Sequence, residues 1–229
     1  NERLQTLADI LDGKIIIHCH SYRADEIYML INVARDFNIS KLVFQHTNEG
    51  FKVAPEIAKY TMGASVFADW WAYTFEVYYS TALNAAISNA NGAITSINSD
   101  SAELIRHLYH EAAKTQRYGG MTDDESLAMI TINPARQLGI SELVGSIEEG
   151  KQGDLVIFDS HPLSVYTVPQ MTFVDGVKYF DIKEDKNDQR LTVSPTEMVE
   201  DVYLRQQTER CMQDTEHLFE MAGTLFNQN

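Results

Sequence analysis

Over roughly the first 140 residues, short apolar runs of strand type alternate with stretches whose apolar positions recur every three or four residues. That alternation is the pattern of βα units on a parallel sheet. The first unit is a strand over Ile15 to His18 and a helix over Arg23 to Phe37, with Ile27, Leu30, Ile31 and Ala34 on one face. The second is a strand over Leu42 to His46 followed by a helix over Lys52 to Tyr60. A third strand, Ala64 to Ala68, runs into Asp69-Trp-Trp-Ala-Tyr73, and a helix over Tyr79 to Asn89 follows. The fourth strand, Ala93 to Ile97, leads into Asn98-Ser-Asp100 and a helix through His107 and Ala113. A further helix is predicted over Asp123 to Ile132, opened by Thr122 as N-cap with Glu125 three residues later.

Past residue 140 the pattern changes. Gly145, Gly150, Gly153 and Gly176 punctuate short runs such as Leu155 to Phe158 and Thr172 to Val174, which read as antiparallel strands. Asp175-Gly176, set between Thr172-Phe-Val174 and Val177-Lys-Tyr-Phe180, predicts a hairpin, because a type I′ turn needs positive φ at both central residues. Asp181 to Pro195 is a polar connector, and Pro195 to Phe226 carries helical spacing at Met198, Val202 and Leu204, then Leu218, Met221 and Leu225. Three segments result: 1–140, 141–182 and 183–229.

Composition narrows the functional classes. A net charge of −15 and a pI near 4.8 argue against binding to nucleic-acid backbone, which requires clustered Lys and Arg. With only Cys19 and Cys211 there is no disulfide framework, and Cys19 reads as a small core residue. No apolar run is long enough to span a membrane and no basic-apolar leader opens the sequence as given, so the compartment stays open between cytoplasm and periplasm.

The segment Lys14-Ile-Ile-Ile-His-Cys-His-Ser-Tyr-Arg23 concentrates the candidate chemistry. The period of two in a strand puts His18 and His20 on one face and Cys19 on the other. Polar and aromatic groups then recur at the C-terminal end of each strand: His46, then Asp69 with Trp70 and Trp71, then Asp100. Parallel α/β folds build their sites at those ends. Imidazoles and a carboxylate on successive strands match a catalytic divalent-metal site, zinc first among the metals, that activates water near neutral pH. Each residue alone has a second reading. Asp100 is also placed to cap the helix after it, Arg23 to pair with Asp25 or Glu26, and the tryptophans to pack beneath a loop.

The sequence resembles the metal-dependent amidohydrolase superfamily, in its imidazolonepropionase-like and dihydroorotase-like branch. The likeness spans about residues 12 to 181. It rests on Ile17-His-Cys-His-Ser-Tyr-Arg-Ala-Asp-Glu-Ile27, Val43-Phe-Gln-His46 and Asn98-Ser-Asp100, taken as barrel strands five, six and eight. Thr131-Ile-Asn-Pro-Ala-Arg-Gln-Leu-Gly139 and the stretch from Val144 through Gly150-Lys-Gln-Gly-Asp154 to Phe158 add to it as structural blocks. The resemblance implies His18 and His46 as metal ligands, and Asp100 as a ligand and general base. His20 is then a substrate or neighbouring group, although the opposite assignment of His18 and His20 remains open. Tyr22, Arg23, Trp70, Trp71 and Tyr73 would face substrate, Arg23 toward a carboxylate.

The family's opening His-x-His strand and its strand-four Lys or Glu are not in this sequence. The fold expected is therefore α/β: the C-terminal half of a TIM-like (β/α)8 barrel, strands five to eight, with C-terminal strands of a small β-sandwich and a terminal helix. A half barrel leaves two sheet edges open, so the expected partners are a small-molecule substrate and either the N-terminal half of the barrel or a second copy of the chain. The expected activity is metal-dependent hydrolysis of a C–N bond in an amide or cyclic amide. The alternative is a non-catalytic binding or scaffolding subunit of the same fold.

Overall fold

The computed structural model describes residues 2–71 and 74–184. Residues 2–182 form one compact unit, and the polar connector and C-terminal helix expected beyond residue 184 lie outside the described residues.

Four short strands, β1 (Ile17–His20), β2 (Leu42–Gln45), β3 (Gly63–Val66) and β4 (Thr95–Ile97), form a parallel sheet in the order β1-β2-β3-β4. Leu42, Val43 and Phe44 are buried, as is every residue of β3 and β4, the mark of parallel strands covered on both faces. On one side α2 (Ala24–Asp36) sets Ile27, Ile31 and Ala34, and α3 (Ala54–Tyr60) sets Ile57, against Leu42, Phe44 and Ala64. A second cluster joins Val66, Ile97, Met121 and Met129 to Ala85 of α4 (Asn84–Ala90). The close approach of β3 to β4 requires glycine at position 63: its φ is +140°, and a Cβ there would sit 2.2 Å from the Ile94 carbonyl oxygen.

β1 differs from its neighbours. Ile17 and Cys19 pack against the α2 cluster, while His18 and His20 are exposed on the other face, as the period of two predicts.

Several boundaries depart from the sequence reading for identifiable reasons. An unforeseen helix, α1 (Glu2–Leu11), precedes β1 and exposes Leu4, Leu7 and Leu11. A 3-10 turn at Gly50–Val53 precedes α3. α4 starts at Asn84 rather than Tyr79, because the buried Asn84 side chain donates to the Thr47 and Asn48 carbonyls and accepts from Phe51 N–H. After α5 (Leu108–Gly119), the single helix expected over Asp123 to Ile132 is two, α6 (Asp123–Ala128) and α7 (Ile132–Gln137). Pro134 lacks an amide N–H and sits in the first turn of a new helix, where none is needed. Thr122 forms the expected capping box with Glu125.

β5 (Leu155–Phe158), β6 (Pro169–Val174) and β7 (Val177–Asp181) make an antiparallel sheet. Asp175 and Gly176 have φ of 52° and 75°, the turn the Asp-Gly pair requires. Tyr109 of α5 meets Phe158 edge to face, and His161 pairs with Asp123 at 3.0 Å, so this sheet leans on the helices that follow β4. No helix among the described residues is long and apolar enough to cross a membrane.

Candidate active site

His20 closes β1 and His46 stands one residue past the end of β2. His20 Nδ1 and His46 Nε2 face each other at 2.6 Å, one of the two carrying the proton between them. His46 is only 3% exposed, and its backbone is left-handed with φ of 43°. Asp100, beyond β4, is also left-handed, with φ of 42°. Left-handed backbone is uncommon outside glycine, and such positions cluster at functional sites. The Asp100 N–H donates to Asn98 Oδ1 at 2.9 Å, which stabilises that turn. Asp100 does not cap the next helix. In the turn before the next helical segment it is Ser101 Oγ that accepts from the Glu103 and Leu104 amides.

Burial pushes the His46 pKa down, and the neighbouring His20 pushes it further, while its own backbone hydrogen bond and the Asp100 charge oppose both. The net result favours a neutral imidazole, the form that donates a lone pair.

His18 shares the face of His20 but not its partner. Gln45 Nε2 donates to His18 Nδ1 at 2.9 Å, and Gln45 Oε1 accepts from Ser65 Oγ at 2.7 Å. Ser65 Oγ also accepts from the His46 amide and from Asn98 Nδ2. One polar chain thus runs from His18 across β2 and β3 to the end of β4. Gln45 and Ser65 were missed in the sequence; the available signal was a polar residue inside an otherwise buried apolar strand.

The remaining predicted residues divide. Tyr22 stacks on His46 with ring centroids 4.1 Å apart. Trp70 stacks on Phe67, which lies parallel to His46 at 5.7 Å. Trp71 is 53% exposed, and Tyr73 lies outside the described residues. Arg23 is engaged by Asp25 through two hydrogen bonds, the pairing that the sequence left open. Asp69 is paired with Lys114 at 2.9 Å rather than joining the histidines.

The donor chemistry suits a divalent metal of borderline softness: imidazole nitrogens and a carboxylate at the ends of parallel strands, with His46 Nδ1 buried and without a hydrogen-bond partner among the described residues. Among the described residues, however, no three His, Cys, Asp or Glu side chains converge as a cation would need. The residues fit part of a metal centre.

The fold is a parallel α/β sheet with histidines and an aspartate at its strand ends, and comparison with known proteins places it in a family. Residues 77–192 match the model of the amidohydrolase family. The chain belongs to that family. It is 30% identical over 183 residues to an amidohydrolase, tasK, of Hapsidospora irregularis, covering 77% of this chain and 18% of that one. It is 55% identical over 40 residues to an imidazolonepropionase of Geobacillus kaustophilus, covering 18% and 9%. Among solved structures, an amidohydrolase from Thermotoga maritima superposes with a TM-score of 0.72 at 27% identity, covering 79% of this chain and 47% of that one. An adenosine deaminase from Xanthomonas campestris with bound zinc shares the fold, with a TM-score of 0.60 at 17% identity over 93% and 54%. The chain therefore spans less than a fifth of these curated relatives and about half of these solved structures.

Proposed function

We propose that this chain is the C-terminal half of a metal-dependent hydrolase of a C–N bond in an amide or cyclic amide. Residues 1–140 supply strands five to eight of its barrel, 141–182 sandwich strands, and 183–229 a connector and terminal helix. The observation that carries the reading is the His20–His46 contact at the C-terminal ends of parallel strands in a chain of this family. The N-terminal half of the barrel would bring the missing donors and cover the open sheet edges; self-association is the other way to cover them.

The proposed donors are His18, His46 and Asp100, with zinc the first candidate, as in the zinc-bound structural neighbour. Bound there, a divalent metal supplies an activated water and polarises the substrate carbonyl. The chain's own groups do the rest. Asp100 accepts the proton from the attacking water and delivers it to the leaving nitrogen. His20, bonded to His46, keeps that ring's Nε2 oriented. For His18 to present Nε2 as a lone pair, its Nδ1 must carry the proton, and the Gln45 side-chain oxygen accepts that hydrogen bond once its amide is turned over. Tyr22, Trp70 and Trp71 supply apolar surface for substrate at the strand ends, and Arg23, released from Asp25, a carboxylate contact.

The absence of a three-donor cluster among the described residues favours the rival reading, a non-catalytic binding or scaffolding subunit. Metal content separates the two. Protein assembled with strands one to four should hold zinc in stoichiometric amount and lose it in His46→Ala. Assembled protein that is metal-free and fully stable would support the scaffold.

A further inference from the structure

His46 Nδ1 makes no hydrogen bond among the described residues, so the direction of this ring depends on His20 at one nitrogen and on the rings around it. Those rings form a column. Tyr22 stacks on His46 at 4.1 Å with 29° between planes, His46 lies parallel to Phe67 at 5.7 Å and 12°, and Phe67 stacks on Trp70 at 4.5 Å and 18°. Tyr22 belongs to the loop after β1, and Trp70 to the segment after β3. Both carrier segments are tied down by buried or half-buried charges.

At the Tyr22 end the tie is Glu49, 7% exposed. Its amide donates to the Tyr22 carbonyl at 2.9 Å, and its carboxylate Oε2 accepts from the Ala24 amide at 2.9 Å, so one residue grips the loop on both sides of Arg23. Lys52 Nζ donates to the other carboxylate oxygen at 2.7 Å. At the Trp70 end Lys114 Nζ donates to Asp69, the residue before Trp70, and to the buried Glu111, both at 2.9 Å. The bond to Tyr22 is main chain and remains in any variant at position 49, so what the Glu49 side chain adds is the carboxylate's hold on the Ala24 amide, itself braced by Lys52. An exposed ion pair alone would explain Lys114–Asp69 but not its attachment to a carboxylate only 4% exposed.

We propose that Glu49 and the Asp69–Lys114 pair are positioning residues that clamp the Tyr22–His46–Phe67–Trp70 column at its two ends and thereby set the direction of the His46 imidazole. The inference rests on the proposed function only in treating His46 as a site residue. Ring stacking and a charge-assisted hydrogen bond are comparable in strength, so losing one clamp is enough to admit a second ring orientation. The two clamps act on the same ring from segments that do not touch each other's charges, which makes their effects separable.

The test is a proton–carbon NMR spectrum of the metal-free, histidine-labelled chain, with the His46 ring peak assigned through His46→Gln. Protons stacked on aromatic faces resonate upfield. Glu49→Ala and Asp69→Ala should each move the His46 ring peak downfield, toward that of exposed His161, and Glu49→Gln, which keeps an acceptor for the Ala24 amide, should return it. Thr122→Ala, which loosens the distant α6 cap, serves as control and should leave the peak in place. An unmoved His46 peak in folded Glu49→Ala and Asp69→Ala overturns the proposal, as does an equal shift in Thr122→Ala. If an alanine variant fails to fold, Asp69→Leu, close in size but with no acceptor for Lys114, decides in the same way: movement supports the clamp, and no movement overturns it. Because the spectrum is read without metal, its outcome is independent of whether the assembled protein binds zinc or hydrolyses amides.

Discussion

His46 Nε2 meets His20 Nδ1 at 2.6 Å, although one residue closes β1, the other follows β2, and they are 26 positions apart in the chain. The contact is the sole hydrogen bond that the His46 ring makes among the described residues, since its Nδ1 is buried and unpartnered. His20→Ala should leave both nitrogens of a buried imidazole unsatisfied, a cost of about 1–3 kcal/mol. His20→Gln, whose amide can reach the same nitrogen, should recover part of it. Urea unfolding of the three proteins measures the difference, and an unchanged midpoint in His20→Ala would show that the two rings do not bond in solution.

Asp100 carries the proton traffic in the proposed mechanism while contributing little to packing, since it is exposed and its backbone amide, not its side chain, makes the local bond to Asn98. Asp100→Asn should therefore fold normally and lower hydrolysis by the assembled enzyme about 10³-fold. A near-normal rate in that variant would remove the role assigned to it.

Cys19 packs toward the α2 cluster, opposite the two histidines, with its Sγ 3.5 Å from Ser21 Oγ. In a Cys211→Ser background, alkylation of Cys19 should be slow in native protein and fast in denaturant. Equal rates would mean that β1 is rotated and that His18 and His20 lose their shared face.

The capping box at α6 supplies a pH-dependent prediction. The Thr122 amide, and after it the Thr122 hydroxyl, bond the Glu125 carboxylate and hold its pKa below the ordinary 4.5. A depressed carboxylate pKa stabilises the fold above the unfolded value, and that contribution is lost as pH falls through the folded value. Thr122→Ala should cost about 1 kcal/mol near neutral pH. The gap between variant and wild type should narrow as pH drops below 4.5. Thermal unfolding across that range checks both, and a gap independent of pH would show that the Thr122 hydroxyl does not bond the Glu125 carboxylate in solution.

The parallel sheet was legible because short β-type runs recur between helical spacings, clearest in β2, where Leu42, Val43 and Phe44 form a buried apolar run; β3 and β4 are buried too but carry Ser65, Thr95 and Ser96. α1 was not legible as part of the fold: its Leu4, Leu7 and Leu11 have helical spacing but no buried residue to show what they pack against. The split between α6 and α7 hinges on Pro134, whose place in a first turn is visible only once the chain is folded. His46, Asp100, Tyr22 and Trp70 could be named because they stand at strand ends. Their mutual arrangement could not, since it depends on left-handed backbone at His46 and Asp100 and on Gln45, Ser65, Phe67 and Glu49, which reach them across neighbouring strands and loops.

The central claim is that this chain holds one half of a hydrolytic site and needs the other half of the barrel. The most direct measurement is release of ammonia or amine from a panel of amides and cyclic amides, by the 229-residue chain alone and after addition of a chain carrying strands one to four. The account predicts negligible turnover by the chain alone, turnover by the mixture, and its loss when the added half is combined with His46→Ala. Full activity from a monodisperse monomer of this chain, or a stable assembled complex that hydrolyses nothing in the panel and binds no metal, would contradict it.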